Sequence, residues 1–487
     1  DNAPIQSYRF HGAFDYGVMT DTWYWLPDNI KATEQRDESE KRTLLDFNLK
    51  NIDKKNREVM SSPFKNNQRF RFVFASLESG SKCKDIFPKH EYGLHRKTKE
   101  EGMLVNKVFN EYDFFNYMSY STAGAINKEL KKYFDQPPGL SDKQKADEIY
   151  NYLATCWIRH GHSFNSDNKA FFCTFRTLLR AFKIPVYYGI AMERNFGDRK
   201  DALVASDFDK IIKLKDGTFY ETCSRSLPCV FDKSADWEGT EGLFFLLDEK
   251  TTKYKSCDDY KKLIKQKIPV TPAEKNKTTF TINVNIDPTD GHALDVTRTV
   301  ALTGSKTRRA RNQLGTFWQW DSIMRQHFGI TTKFNEDPKI VKVITPGATE
   351  KWTRNFDYIE RNQKEAFDEE AKDFFENHVK EVKSYKIDSY GLFENDKSFR
   401  YTSEAIVEDM VRTTDRSKVV NIGKLLDKMN LNTLKKDRQS DVELKSTFLD
   451  SYEINFNIPT GYEVKNLEAF NKNISNTCGS FGSKAKI

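Results

Sequence analysis

The sequence predicts an α+β chain of several domains, a helix-and-sheet centre between two β-rich flanks, and three observations carry that prediction. At 487 residues it is too long for one core, and at about 150 residues per domain it divides into roughly three. Aromatic residues make up 13%, with 37 Phe and 21 Tyr, so the 31% of charged residues does not signal disorder. It points instead to aromatic, partly sheet-built cores. Helical periodicity sets in from Phe114, whereas two-residue alternation dominates before it and returns near the end.

Residues 1–112 read as a mainly β domain, with the run QRFRFVFASLE (Gln68 to Glu78) as its clearest strand. The polar stretch from Ile30 to Lys65 predicts a long loop or a helical insertion. Residues 113–270 form the α+β centre. There Ser141 is placed to N-cap a helix and Gln144 to complete a capping box, with Ala146, Ile149, Leu153 and Trp157 on one face. The stretch NSDNKAFFCTFRTLLRAFKIPVYYGIAM (Asn165 to Met192) then gives a short helix and, after Ile-Pro, a strand; Asp216-Gly217 between two apolar runs predicts a hairpin.

The Lys/Pro-rich segment Lys261 to Lys277 marks a boundary, and residues 275–487 read as a C-terminal β-rich domain with helical insertions around 305–378. Phe280, Ile282, Val284 and Ile286 alternate in its first strand, and Tyr452, Ile454, Phe456 and Ile458 in its last. Trp352, Phe356, Ile359, Phe367 and Phe374 fall at helical spacing between them.

The balance of 78 basic and 71 acidic residues gives +7, interspersed along the chain, which argues against a nucleic-acid surface. The local run SKTRRAR (Ser305 to Arg311) reads as a solvated basic turn. No window reaches the ~20 apolar residues that span a bilayer as a helix. The opening at Asp1 carries no leader pattern and leaves room for a leader or anchor ahead of it. Seven scattered cysteines do not form a disulfide framework; Cys223 and Cys229, in CSRSLPC, are the best-placed pair for a bridge, which spacing alone does not establish.

No phosphate loop, HExxH zinc helix, GxSxG elbow or CxxC pair is present. His160 and His162 in RHGH lack a third ligand at metal-site spacing, and DPTDG (Asp287 to Gly291) lacks the spaced oxygens of a calcium loop and reads as a turn. No metal or cofactor is therefore expected.

The succession LLRAFKIP (Leu178 to Pro185), VYYGIAM, FDKII (Phe208 to Ile212), DGTFYET (Asp216 to Thr222) and Leu227-Pro228 resembles the transglutaminase-like superfamily. The wider layout resembles Gram-negative envelope proteins in which this papain-like domain lies between two β-rich, sandwich-like domains of unknown function. The stretch Asn455 to Ala485 is similar to the end of their C-terminal domain. The resemblance implies a cysteine at the helix start, a histidine on the next core strand and an aspartate on the strand after it. Anchored on LLR, those positions fall on Asn168, Lys210 and Glu221, or Thr222 for the last if the register slips by one. An asparagine cannot attack as the thiolate does and a lysine ammonium is a poor proton shuttle at neutral pH, although Lys210 and Glu221 are suited to form an ion pair.

The resemblance with its triad lost implies a non-catalytic, periplasmic or outer-membrane-associated module, a pseudoenzyme that binds a peptide, protein or glycan or meets a membrane-anchored envelope partner. Two alternatives stand beside it. One is a cysteine hydrolase or peptidase using Cys173 with His160 or His162, although helical phase puts Cys173 with Arg176, Thr177 and Arg180, away from the apolar stripe Phe171, Phe175, Leu178 and Phe182. The other is a structural component of an outer-membrane assembly.

Overall fold

The structure, a computed structural model, describes residues 5–15, 20–26, 30–52, 70–76, 93–96, 120–135, 139–160, 168–197, 207–221, 235–247, 260–393, 395–427, 438 and 441–487. The chain is an α+β, multidomain protein with β-rich regions on either side of a helix-bearing centre. Its described helices are α1 (Tyr120–Phe134), α2 (Asp142–Cys156), α3 (Asn168–Ala181), α4 (Lys306–Leu314), α5 (Phe317–His327), α6 (Pro338–Val343), α7 (Pro346–Arg361) and α8 (Gln363–Phe374). Two compact units emerge: Asp1–Asn276 with Phe317–Phe356 and Asn430–Phe448, and Lys277–Thr316 with Asp357–Met429 and Leu449–Ile487.

The first unit opens with β1 (Ile5–Asp15), β2 (Thr20–Trp25), β3 (Ala32–Asp37), β4 (Arg42–Ile52), β5 (Arg71–Ser76) and β6 (Gly93–Arg96). They form two three-stranded sheets, β1-β4-β3 and β5-β2-β6, whose side chains share one cluster around Phe14, Tyr24, Leu45 and Phe47. The loop or helical insertion expected from Ile30 is instead the β3–β4 hairpin as far as Ile52. Leu45, Phe47 and Leu49 alternate inward there, and that period outweighs the polar average of the segment. Residues 53–65 of the same stretch lie outside the described residues.

A five-stranded antiparallel sheet follows, in the order β11-β10-β7-β8-β9, from β7 (Val186–Ala191), β8 (Asp209–Leu214), β9 (Phe219–Glu221), β10 (Glu241–Leu247) and β11 (Tyr260–Lys267). One face carries α1, α2 and α3 over Tyr188, Ile190, Ile212 and Leu214; the other holds a smaller cluster of Ala191, Ile211, Phe219, Trp237, Phe244 and Ile268. The capping box forms as the sequence reads: Gln144 N donates to Ser141 Oγ at 3.2 Å and Ser141 N to Gln144 Oε1 at 2.9 Å. Ala146, Ile149, Leu153 and Trp157 are all buried. The Asp216-Gly217 hairpin forms with Gly217 at φ +94°.

Residues of α5 and α6 belong to this unit through a buried ionic chain. Asp321 chelates Arg325 Nε at 2.9 and 2.7 Å, Arg325 Nη1 reaches Asp337 at 2.9 Å, and Arg159 Nε lies 2.7 Å from the same Asp337 oxygen.

The second unit is a five-stranded sheet in the order β14-β15-β13-β12-β18. Its strands are β12 (Lys277–Ile286), β13 (Leu294–Leu302), β14 (Val379–Tyr390), β15 (Phe399–Val407) and β18 (Leu449–Phe456). Two small hairpins are β16 (Val411–Thr413) with β17 (Lys418–Val420) and β19 (Lys472–Asn476) with β20 (Gly479–Ser483). Strand β18 runs parallel to β12, which places Tyr452 on Phe280 with ring centroids 4.5 Å apart. Helices α4 and α8 cover one face, where buried Arg298 meets Glu370 and stacks on Phe374.

Two readings change in this unit. Ser305 to Arg311 is not a solvated turn but the start of α4, with Arg311 buried and donating from Nε to Tyr390 O at 2.9 Å. The single stripe from Trp352 to Phe374 is split at Asn362 into α7 and α8, so Phe356, Phe367 and Phe374 are buried while Ile359 is exposed.

Candidate functional site

The corner between α3 and the central sheet is where the sequence places its candidate site. Helix α3 ends in a Schellman motif: Lys183 N bonds Arg180 O and Ile184 N bonds Leu179 O, both at 2.9 Å, with Lys183 at φ 58°. Pro185 blocks further helix and starts the chain into β7. Phe171, Phe172, Phe175, Leu178 and Leu179 are buried on the sheet side of the helix. Asn168 is its first residue, three positions before Phe171 and seven before Phe175, so position 168 is in phase with that buried side. Position 173 lies in the second turn, in phase with the exposed Arg180.

On the sheet, Lys210 stands opposite Ile190, while its neighbour Ile211 stands opposite Glu221. Ile190 and Ile212 both belong to the helix-side core, so half-buried Lys210 leaves the strand toward the helices. Ile211 belongs to the cluster on the other face. The register therefore sets positions 210 and 221 one residue out of line. The side chains of Asn168, Cys173, His160 and Glu221 are beyond the structure's description, and His162, Cys223 and Cys229 lie outside the described residues.

The helix–sheet interface beside these positions is filled with rings. Phe175 meets Tyr150 at 5.2 Å and Tyr220 at 5.3 Å, edge to face, and Phe171 meets Tyr150 at 5.2 Å and Trp157 at 5.4 Å. Tyr220 Oη donates to buried Asp147 Oδ1 at 2.5 Å, and Lys143 Nζ reaches the other oxygen at 2.9 Å, so the Asp147 carboxylate is matched.

A second polar corner lies where β7 ends and β8 begins, and no motif marks it in the sequence. Burial raises the carboxyl pKa of Asp209, helped by the charge of Asp236, although Trp237 Nε1 donates to Asp209 Oδ2 at 2.7 Å. Glu193 is raised by burial and then by Asp209 and Asp236. Beside them Arg194 grips residues 443–445, far along the chain. Three carboxylates at positions 193, 209 and 236 carry no period or spacing, which is why sequence reading passed over them. Among the described residues no group of three or more His, Cys, Asp or Glu is placed to hold a metal ion, and no helix is long and apolar enough to cross a membrane.

Comparison with known proteins adds a C-terminal match. Residues 419–487 match the model of a family described as a domain of unknown function with solved structure, DUF3858. A solved structure described as "a putative protease" from Parabacteroides distasonis is similar at 12% identity and a TM-score of 0.31, covering 58% of this chain and 49% of its own. The chain thus spans about half the length of that protein. No curated protein matches.

Proposed function

We propose that the chain is a non-catalytic, transglutaminase-like binding or scaffolding protein of the bacterial cell envelope. The observation that supports this reading is the phase of position 168 and of Lys210. Position 168 opens α3 in phase with its buried side, and Lys210 leaves β8 toward the same helices. On the resemblance these positions correspond to the nucleophile and its base, and here they carry an amide and an ammonium. An amide does not attack a carbonyl as a thiolate does, and a lysine near pKa ~10 does not take and return a proton at neutral pH. Position 173 supports no substitute nucleophile, because a thiolate gains from a helix N-terminus and this position is a turn further in.

Labelling of the full chain with a chloroacetamide at neutral pH tests the reading, with the modified residue located by mass spectrometry. Cys173 is expected to react no faster than a cysteine in an unfolded peptide. Rapid, pH-independent labelling at Cys173 would sink the proposal and favour the cysteine hydrolase.

A further inference from the structure

Residues 441–448 have neither helix nor strand, yet they are held in place along the first unit by bonds from Arg194 to their main chain and from Thr447 back to the unit. Arg194 Nη2 donates to the carbonyls of Leu444 and Lys445, each at 2.8 Å, while Nη1 reaches Glu238 O at 3.4 Å. Thr447 Oγ1 donates to Thr271 O at 2.6 Å. The flanking side chains are matched in charge: Glu443 lies 3.4 Å from Arg194 Nε, and Lys445 Nζ lies 3.5 Å from Asp236. Val442 and Leu444 take little part, remaining 42% and 41% exposed, whereas Phe448 is half-buried.

We propose that Arg194, Asp236 and Thr271 form a binding site for a peptide of acidic-apolar-basic pattern, and that residues 441–448, bent at Lys445 and Ser446, are its built-in occupant. A guanidinium directed at two successive carbonyls reads a bent backbone, in which both point the same way, rather than any one side chain, and charge-assisted bonds of this kind supply affinity. Asp236 and Arg194 then select the charges on either side. The Lys445–Asp236 pair, with Lys445 74% exposed, contributes about 0–1 kcal/mol, and a segment without helix or strand and with Val442 and Leu444 exposed belongs to the more readily opened part of the structure. It can therefore open and leave the site to a peptide in trans. The proposal uses none of positions 168, 210 and 221, so it stands or falls separately from the non-catalytic reading.

The test is binding of a fluorescent octapeptide with the sequence of residues 441–448 to the full chain and to variants. A tethered occupant competes at millimolar effective concentration, so the peptide is expected to bind the Glu443→Ala, Lys445→Ala double variant about tenfold or more tighter than the unmodified protein. Lys445→Glu serves as a second strap variant, and hydrogen exchange across the central sheet confirms that either one folds. Adding Arg194→Ala to the strap variant is expected to abolish binding. Absence of binding to both strap variants overturns the proposal. Equal binding to variant and unmodified protein, or binding that survives Arg194→Ala, overturns it as well, because the peptide then sits elsewhere.

Discussion

Arg325 and Asp337 form an ion pair at 2.9 Å in which the carboxylate has no exposed surface. The same carboxylate oxygen lies 2.7 Å from Arg159 Nε, and its partner oxygen caps α6 by accepting from Lys339 N at 3.0 Å. Burial alone would raise the Asp337 pKa, but the Arg325 hydrogen bond and the Arg159 charge outweigh it and hold the group below the usual carboxylate range. Asp337→Asn keeps a capping oxygen and removes the charge, leaving Arg325 with Asp321 alone and Arg159 with Glu129 at 4.0 Å. A loss of about 3–5 kcal/mol is expected, the range for breaking a buried pair from one side. Hydrogen exchange over α5 and α6 is the measurement; unchanged protection there would remove the network from the list of stabilising contacts.

The neighbouring Asp321 has the opposite sign. Burial pushes it up to about 6, against the pull of Arg325. The folded state then keeps a proton that the unfolded chain has already lost, so stability falls as pH rises from about 4 to about 6 and levels off above that. Asp337, held low, contributes stability that is lost only as pH falls below the ordinary carboxylate range. The two windows do not overlap. Denaturation midpoints of the full chain against pH, compared with Asp321→Asn, should therefore differ in slope between about pH 4 and 6, with the falling limb missing in the variant. Parallel profiles would contradict the assignment.

Lys183 holds the left-handed position of the Schellman motif that ends α3, a place glycine fills without strain. Its backbone bonds do not depend on the side chain, and nothing in the turn requires an ammonium. Lys183→Gly is expected to stabilise the first unit by up to about 1 kcal/mol, the left-handed penalty less the added freedom of the unfolded chain. Lys183→Ala keeps the penalty and should be near neutral. A destabilised glycine variant would mean that the side chain packs at this corner.

What was legible in the sequence was local. Ser141 with Gln144, and Asp216 with Gly217, specify a cap and a turn within four residues, and both formed. Phase arithmetic on α3 likewise separated position 168 from position 173, because a helix fixes direction every 100°. The strand partner of Lys210 was not legible: a one-residue slip in pairing moves a position to the other face, and only the fold selects between 221 and its neighbour. The basic run at 305–311 misled for a related reason. Arg311 is buried because Tyr390 O, on a strand much further along, accepts its Nε bond, and no local pattern announces that partner. The Arg194 contacts with residues 443–445 are remote in the same way.

Gly189 gives the sharpest packing prediction. It lies in the middle of β7 opposite Phe244 of β10, and its backbone needs no special conformation. A methyl group there would come within 2.4 Å of Phe244 Cδ1 and 3.1 Å of Leu243 O. The ring is fully buried among Ile211, Phe219, Trp237 and Ile268, so it has little room to withdraw, and the backbone carbonyl cannot yield without disturbing the β7–β10 pairing. Gly189→Ala is expected to cost about 1–3 kcal/mol, as overpacking does. Phe244→Leu alone should also destabilise, by lost burial. Together they share the same space, so the double variant should be more stable than the sum of the two losses by at least about 0.5 kcal/mol in a denaturation cycle. Strict additivity would show that the methyl group finds its room some other way, through movement of β7 itself.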